Sequence, residues 1–346
     1  MLRVSCAEPV TQNLKLMKSG LSFKLVDHIR SSTDARHSRC LSAVKSILYQ
    51  LSEDVPQITP HLTPLLEELT SPQAEKASYP QSPDWNALLN FFQQLQGKTS
   101  DQQESGWQLH DSKHEWTKQL QGYTNLLCKV NPRLLLVCLD SVEMRPCFDL
   151  ISLYQLETDA NVRIELLLAL GACFSAAPKA LEACFDSILP TELIRQLLSP
   201  NEFDNTVLYL MSIRALTMFF ARSTQLSYLI RDQLNIKFFD TLLLYMDSLT
   251  DESNASRVHR SLSKNSLKSY LDEKNACVIQ KAGADALRSD RLVLLNLVQE
   301  HMLGLFVSIN RFFHKENLLI DCLQRNCSSA KPLIEKLIQY FNLNCE

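Results

Sequence analysis

The stretch from Tyr154 to Leu198, YQLETDANVRIELLLALGACFSAAPKALEACFDSILPTELIRQLL, limits the folds open to this chain more than any other. Asp159, Ala160 and Asn161 supply a helix start, because a short polar side chain there accepts hydrogen bonds from the otherwise unsatisfied first N–H groups. Leu166, Leu167, Leu168 and Leu170 then give a helix that is apolar on most of its sides. Such a helix is stable in water only when neighbours cover it from several directions. Pro178 opens the next helix, and Pro190 marks the break that follows it. Helix stacked on helix with short Pro-marked joints predicts an all-α chain of the armadillo/HEAT-like α-solenoid kind.

The rest of the chain agrees with helices. Ser82, Pro83 and Gly97 bracket a helix through Trp85, Leu88, Leu89, Phe92 and Leu95, whose spacing places one apolar face toward a core. Residues 97–110 are polar and read as a loop. Ser112-Lys-His-Glu115 matches a capping box, and Asn131-Pro132 opens another helix. No run alternates apolar and polar residues between turn signals, so no sheet is expected. The expected organisation is N-terminal solenoid helices over 1–70, a Pro-rich linker over 71–83, and central armadillo-like repeats over 84–249. A Ser-rich disordered insertion over 250–289 and C-terminal helices over 290–346 complete it. Helix-pair spacing is compatible with units of about 40–47 residues.

Composition narrows the function classes. The 346 residues include only 7 Gly, few for phosphate-cradling loops, and the net charge of −3 gives no reason to expect nucleic acid or an acidic membrane as partner. The 11 Cys are odd in number and follow no framework spacing, which points to a reducing, cytoplasmic compartment. The longest apolar run, Leu166 to Phe174, is far short of the ~20 residues that span a bilayer, so no transmembrane segment is expected.

Candidate chemistry fails on spacing. Gln96-Gly97-Lys98-Thr99 resembles the end of a phosphate-binding loop, yet Phe92 occupies the position of the required first Gly. His110 and His114 are four apart, as ligands on one helical face would be, but no HExxH pattern or nearby Cys accompanies them. Cys322 and Cys327 lack a second pair. Ser42 and Lys45 have a Ser–Lys spacing without an oxyanion loop, and His301 sits in an apolar helix. The sequence therefore offers no catalytic residue, cofactor-binding residue or metal ligand, and a non-enzymatic role is expected.

The insertion over 250–289 carries Ser253, Ser256, Ser261, Ser263, Ser266 and Ser269 among Arg257, His259, Arg260, Lys264 and Lys268. It reads as a solvated loop between two helices. It also reads as a switch: Arg257-x-x-Arg260-Ser-x-Ser263 suits basic-directed kinases, which makes Ser261 and Ser263 candidate phosphorylation sites.

Three segments carry a family resemblance: Leu150-Ile-Ser-Leu-Tyr154-Gln-Leu-Glu157, then Val162-Arg163-Ile-Glu-Leu-Leu-Leu through Gly171-Ala-Cys173, then Ser187-Ile-Leu-Pro190-Thr-Glu-Leu-Ile-Arg195. Weaker similarity covers Leu25 to Ser46, Leu208 to Phe220, Phe238 to Asp247 and Leu303 to Phe313. In this order they resemble the leucine-rich, armadillo-like domain of the NCK-interacting protein with SH3 domain (WISH/DIP) family. That resemblance implies binding and activation of the Arp2/3 complex, nucleation of linear actin filaments, and a scaffold role in the actin cytoskeleton, at the cell cortex and in endocytosis. The SH3 domain of the family has no counterpart in the sequence, so no SH3-mediated partners are expected. The family's last repeats are expected to be missing as well, which would leave Leu333, Ile334, Leu337, Ile338 and Phe341 as an open apolar face that favours self-association. The alternative reading is a generic armadillo-type adaptor that binds a peptide or helix of another partner.

The low hydrophobicity of the insertion cannot offset the entropy of ordering it. Limited trypsin digestion is expected to cut first at Arg257, Arg260 or Lys264, and earlier cutting inside the flanking helices would overturn that expectation.

Overall fold

The computed structural model describes residues 20–105, 113–198, 206–250, 284–313 and 318–325, with Lys331 and Glu335. Among the described residues every regular element is helical and no strand occurs, so the fold is all-α. The described residues fall into two compact units. The described residues of the first lie within Met1–Gly106, Lys118–Pro146 and Ser175–Ala177, and those of the second within Trp107–Thr117, Cys147–Phe174 and Pro178–Glu346.

The first unit begins with α1 (Leu21–Thr33), α2 (His37–Asp54) and α3 (Thr59–Glu68). Phe23 and Val26 of α1, Cys40, Val44 and Leu48 of α2, and Leu62 and Leu65 of α3 form one buried cluster with Leu69. The corner between α1 and α2 needs a left-handed residue, and Asp34 supplies it at φ 52°, its N–H donating to the Arg30 carbonyl at 2.9 Å. Asp is one of the few side chains that tolerate this conformation.

Arg30 then fixes the corner to the start of α5 (Pro83–Ser105). Its Nε and Nη2 donate to the two carboxylate oxygens of Asp84 at 2.5 and 2.9 Å, and its Nη1 donates to the Ala35 carbonyl at 2.9 Å. Both side chains are nearly buried, at 8% and 14% exposed. A forked pair of this kind suits Arg and not Lys. Asp84 also stands in the first turn of α5, where a negative charge complements the helix dipole.

Two expectations are corrected in this unit. The segment over 71–83 is not a linker, because α4 (Pro72–Ser78) and a 3₁₀ turn (Tyr79–Gln81) occupy most of it. Ser71 caps α4 by accepting from the Ala74 N–H at 3.4 Å, Pro72 takes a first-turn position, and Tyr79 is buried. The prolines open helical turns there instead of holding the chain extended. The helix expected to stop before Gly97 instead continues to Ser105. Leu95 and Thr99, four apart, are both buried, and this core contact outweighs the roughly 1 kcal/mol that a mid-helix Gly costs. The unit is completed by most of α6 (Lys113–Lys129) and by α7 (Pro132–Ser141). Phe91 of α5 stacks on Tyr123 of α6 with ring centroids 3.5 Å apart, and Asn131 caps α7 by accepting from the Arg133 N–H.

The second unit contains α8 (Arg145–Leu156), α9 (Ala160–Ala176), α10 (Pro178–Phe185) and α11 (Leu189–Leu198), followed by α12 (Thr206–Arg222), α13 (Tyr228–Gln233) and α14 (Ile236–Thr250). Two further helices, α15 (Ala284–Asn310) and α16 (Leu318–Arg325), close it. The long C-terminal helix therefore starts before the expected Asp290. Phe219 and Phe220 of α12, Phe238 and Phe239 of α14, and Phe306 of α15 are fully or almost fully buried. Gly304 of α15 faces Thr217 of α12, where an added methyl group would meet the Thr217 Cγ2 at 3.6 Å. Arg311 donates to the carbonyls of Phe220 and Ser223, which caps the C-terminal end of α12.

One half-buried carboxylate makes stability depend on pH. Burial pushes the Asp27 carboxyl up from 3.8 to about 6, against the Ser82 hydroxyl that donates to it at 3.3 Å. The folded state therefore holds a proton that the unfolded chain has lost. This contribution is full below pH 3.8 and disappears as the pH rises through about 6. Asp27→Asn is expected to flatten that slope, and urea melts between pH 4 and 7 that still show it in the variant would refute the assignment. Arg30→Ala is expected to cost about 3–5 kcal/mol by leaving Asp84 unpaired, with no recovery in Arg30→Lys.

Candidate interaction surface

The resemblance-bearing stretch is held by polar contacts at the ends of its helices. The caps follow the sequence: the Asp159 carboxylate accepts from the N–H groups of Asn161 at 2.8 Å and Val162 at 3.4 Å. Behind that cap, α9 buries Val162, Ile164, Leu166, Leu167, Ala169, Leu170, Cys173 and Phe174. Arg163 is the exception on this first turn. Its guanidinium lies 4.6 Å from the centre of the Tyr154 ring in α8, and its Nη2 donates to the Glu192 carboxylate of α11 at 3.1 Å. Arg195 donates to both oxygens of Glu192 at 3.0 and 2.8 Å. Burial alone would push the Glu192 carboxyl up, but the two arginines outweigh it and hold it below its ordinary value of 4.5.

The other end of Tyr154 is buried. Its hydroxyl donates to the Gln196 side-chain carbonyl, which also accepts from Ser212 of α12 at 3.4 Å. Burial pushes the Tyr154 phenol up to about 12, so it remains a neutral donor. Four helices are thus tied by Tyr154, Arg163, Glu192, Gln196 and Ser212.

A thiol cluster lies in the same unit. Cys147, Cys173 and Cys184, from α8, α9 and α10, are fully buried. Hydrogen bonding with Cys173 and Cys184, added to burial, pushes the Cys147 thiol well above its ordinary range. A protonated buried thiol is a poor nucleophile and packs as a small hydrophobe.

A cleft of ≈ 400 Å³ lies between α10, the end of α12 and the turn that follows it. Leu181, Phe185, Phe219 and Leu226 give its apolar lining, while Glu182, Asp186 and Arg222 bring charge. Tyr228 and Leu229, directly after the cleft's Ser227, are 81% and 69% exposed.

The residues weighed in the sequence are not brought together. Gly97, Lys98 and Thr99 lie inside α5, Ser42 and Lys45 lie inside α2, and His301 is half-buried in α15, where burial lowers its pKa. Cys322 is buried and donates toward the Asp240 carboxylate at 3.2 Å. His110, Cys327, Ser261 and Ser263 lie outside the described residues, as do Leu333, Ile334, Leu337, Ile338 and Phe341. Among the described residues no three His, Cys, Asp or Glu side chains converge as metal ligands. No single helix among them is long and apolar enough to cross a membrane. The pair formed by α9 and α10 reaches that length and composition only together, bent by 119°. No protein-family model matches the chain.

The tie from Arg163 to Glu192 has a measurable consequence. Glu192→Ala leaves a nearly buried guanidinium with no carboxylate and is expected to cost about 3 kcal/mol in urea denaturation. The carboxyl is depressed in the folded state, so its stabilisation is present above pH 4.5 and lost as the pH falls below it. Glu192→Gln should remove that acid-side loss; an unchanged acid profile would show that the pair does not couple to folding.

Proposed function

We propose that this chain is an armadillo-type α-solenoid that binds the Arp2/3 complex and activates it to start linear actin filaments. The observation that carries the reading is the ordered resemblance from Leu150 to Arg195 to the WISH/DIP family domain. Those residues occupy four consecutive helices, α8 to α11. Stacked helices offer partners an extended face to which several elements contribute, and a few residues carry most of the binding energy. The role is that of a scaffold in the cytoplasm at the cell cortex, with a part in endocytosis, and it proceeds by binding without a chemical step.

The test is filament assembly imaged with fluorescent actin, purified Arp2/3 complex and no other activator. Linear filaments that begin without a mother filament are the expected result, together with retention of Arp2/3 subunits on the immobilised chain. Absence of both binding and stimulated assembly, in this chain and in a version extended at its C-terminus, would return the assignment to an adaptor for another partner.

A further inference from the structure

We propose that the cleft between α10 and α12 is a docking site for a short basic segment of another protein, one Lys or Arg beside one Leu or Phe. This goes beyond the actin reading and does not depend on it.

The charge comes from how α10 ends. Glu182 and Asp186 are four apart and both exposed, Glu182 in the last turn and Asp186 just past the final residue Phe185. The C-terminal end of a helix already presents partial negative charge, and cations belong there. Here two carboxylates are added to it, and neither has an ion-pair partner among the described residues. The neighbouring helix shows the contrast: the carbonyls at the end of α12 are met by the Arg311 guanidinium. Arg222 lines the cleft but balances only one of the two carboxylates. A net negative rim beside the apolar mouth formed by Phe185 and Leu226 is complementary to a cation next to an apolar side chain.

The lining sets the rest of the chemistry. Phe219 is 1% exposed and packs edge-on to Phe174, at 5.3 Å between centroids, so the floor is fixed by the core. Phe185 and Leu226 are half-buried and leave apolar surface at the mouth. The turn over 223–227 is held by the Ser223 hydroxyl donating to the Gln225 carbonyl and by Ser227, which caps α13. A volume of ≈ 400 Å³ lies within the range of pockets that bind specifically, and a preformed wall spares the partner the cost of ordering it. Tyr228 and Leu229 extend the apolar surface past the rim.

The experiment screens the full chain against nine-residue fluorescent peptides carrying Leu or Phe within four residues of Lys or Arg. Matched peptides replace the basic residue by Glu or the apolar residue by Ser. Basic–apolar peptides are expected to bind, more weakly as salt is raised. Glu182→Lys combined with Asp186→Lys should weaken them roughly tenfold, about 1.4 kcal/mol. Leu226→Ser should weaken them with no loss of salt dependence, and Glu53→Lys, an exposed acid of α2, should change nothing. Circular dichroism melts establish that each variant is folded. Binding by no library member, equal binding of the Glu or Ser peptides, or full binding to the double charge variant would each overturn the proposal. A change of oligomeric state in the double variant with no peptide binding would also overturn it, by making a second copy of the chain the occupant.

Discussion

A helix without a polar face is the constraint on which the second unit depends. From Val162 to Phe174, α9 turns apolar residues in nearly every direction, and exposure of any side would leave surface worth about 25 cal/mol per Å² against water. Its neighbours cover it on different sides. Tyr154 of α8 receives Arg163, Cys147 of α8 meets Cys173, and Phe219 of α12 packs on Phe174. Removing a buried Leu from such a helix leaves a hole that the surrounding helices can only partly close, at about 2–5 kcal/mol.

Apolar cover does not say which turn faces which. That information sits in polar groups placed where the helices end. The Gln196 carbonyl accepts from Tyr154 and Ser212, and Glu192 accepts from Arg163 and Arg195, so sliding one helix by a turn would strand these groups away from water. The first unit uses the same device, with Arg30 gripping Asp84 at the corner of α1 and α2, and Glu75 of α4 accepting from Asn131 and Arg133 at the start of α7. Such pairs add modestly to stability because desolvation offsets much of their attraction, but a mispaired arrangement is costly.

The local rules of the sequence reached far. Asp159, Pro178 and Asn131 act within a few residues, and their effects on helix starts are legible in the sequence, whereas the cap at Ser71 is not, because the prolines over 71–83 read as a linker. Pro190 proved to belong to the first turn of α11, at whose start it marks the break. The error at Gly97 has a different origin: local propensity favoured a stop, and burial of Leu95 and Thr99 decided otherwise. The pairing of Tyr154 with Gln196, 42 residues apart, left no periodic trace, because a single hydrogen bond imposes no spacing. The cleft was equally invisible. Glu182 and Asp186 look like any solvated acids until α12 and its turn stand beside them, and the stacked-helix pattern points to a binding surface without saying where on it a partner sits.

Arg311 joins parts of the chain that are far apart in sequence. Its guanidinium closes on carbonyls 91 and 88 residues earlier, while α12 and α15 lie side by side along Gly304 and Thr217. A loop of that length lowers the entropy of the chain before any contact rewards it. Contacts such as that of Tyr154 with Gln196 join residues only 42 apart, and shorter separations cost less to close. The seam between α12 and α15 therefore costs more chain entropy to close than those local contacts. Arg311 also reaches the turn over 223–227 through the Ser223 carbonyl, so this distant pairing helps to hold the wall of the cleft.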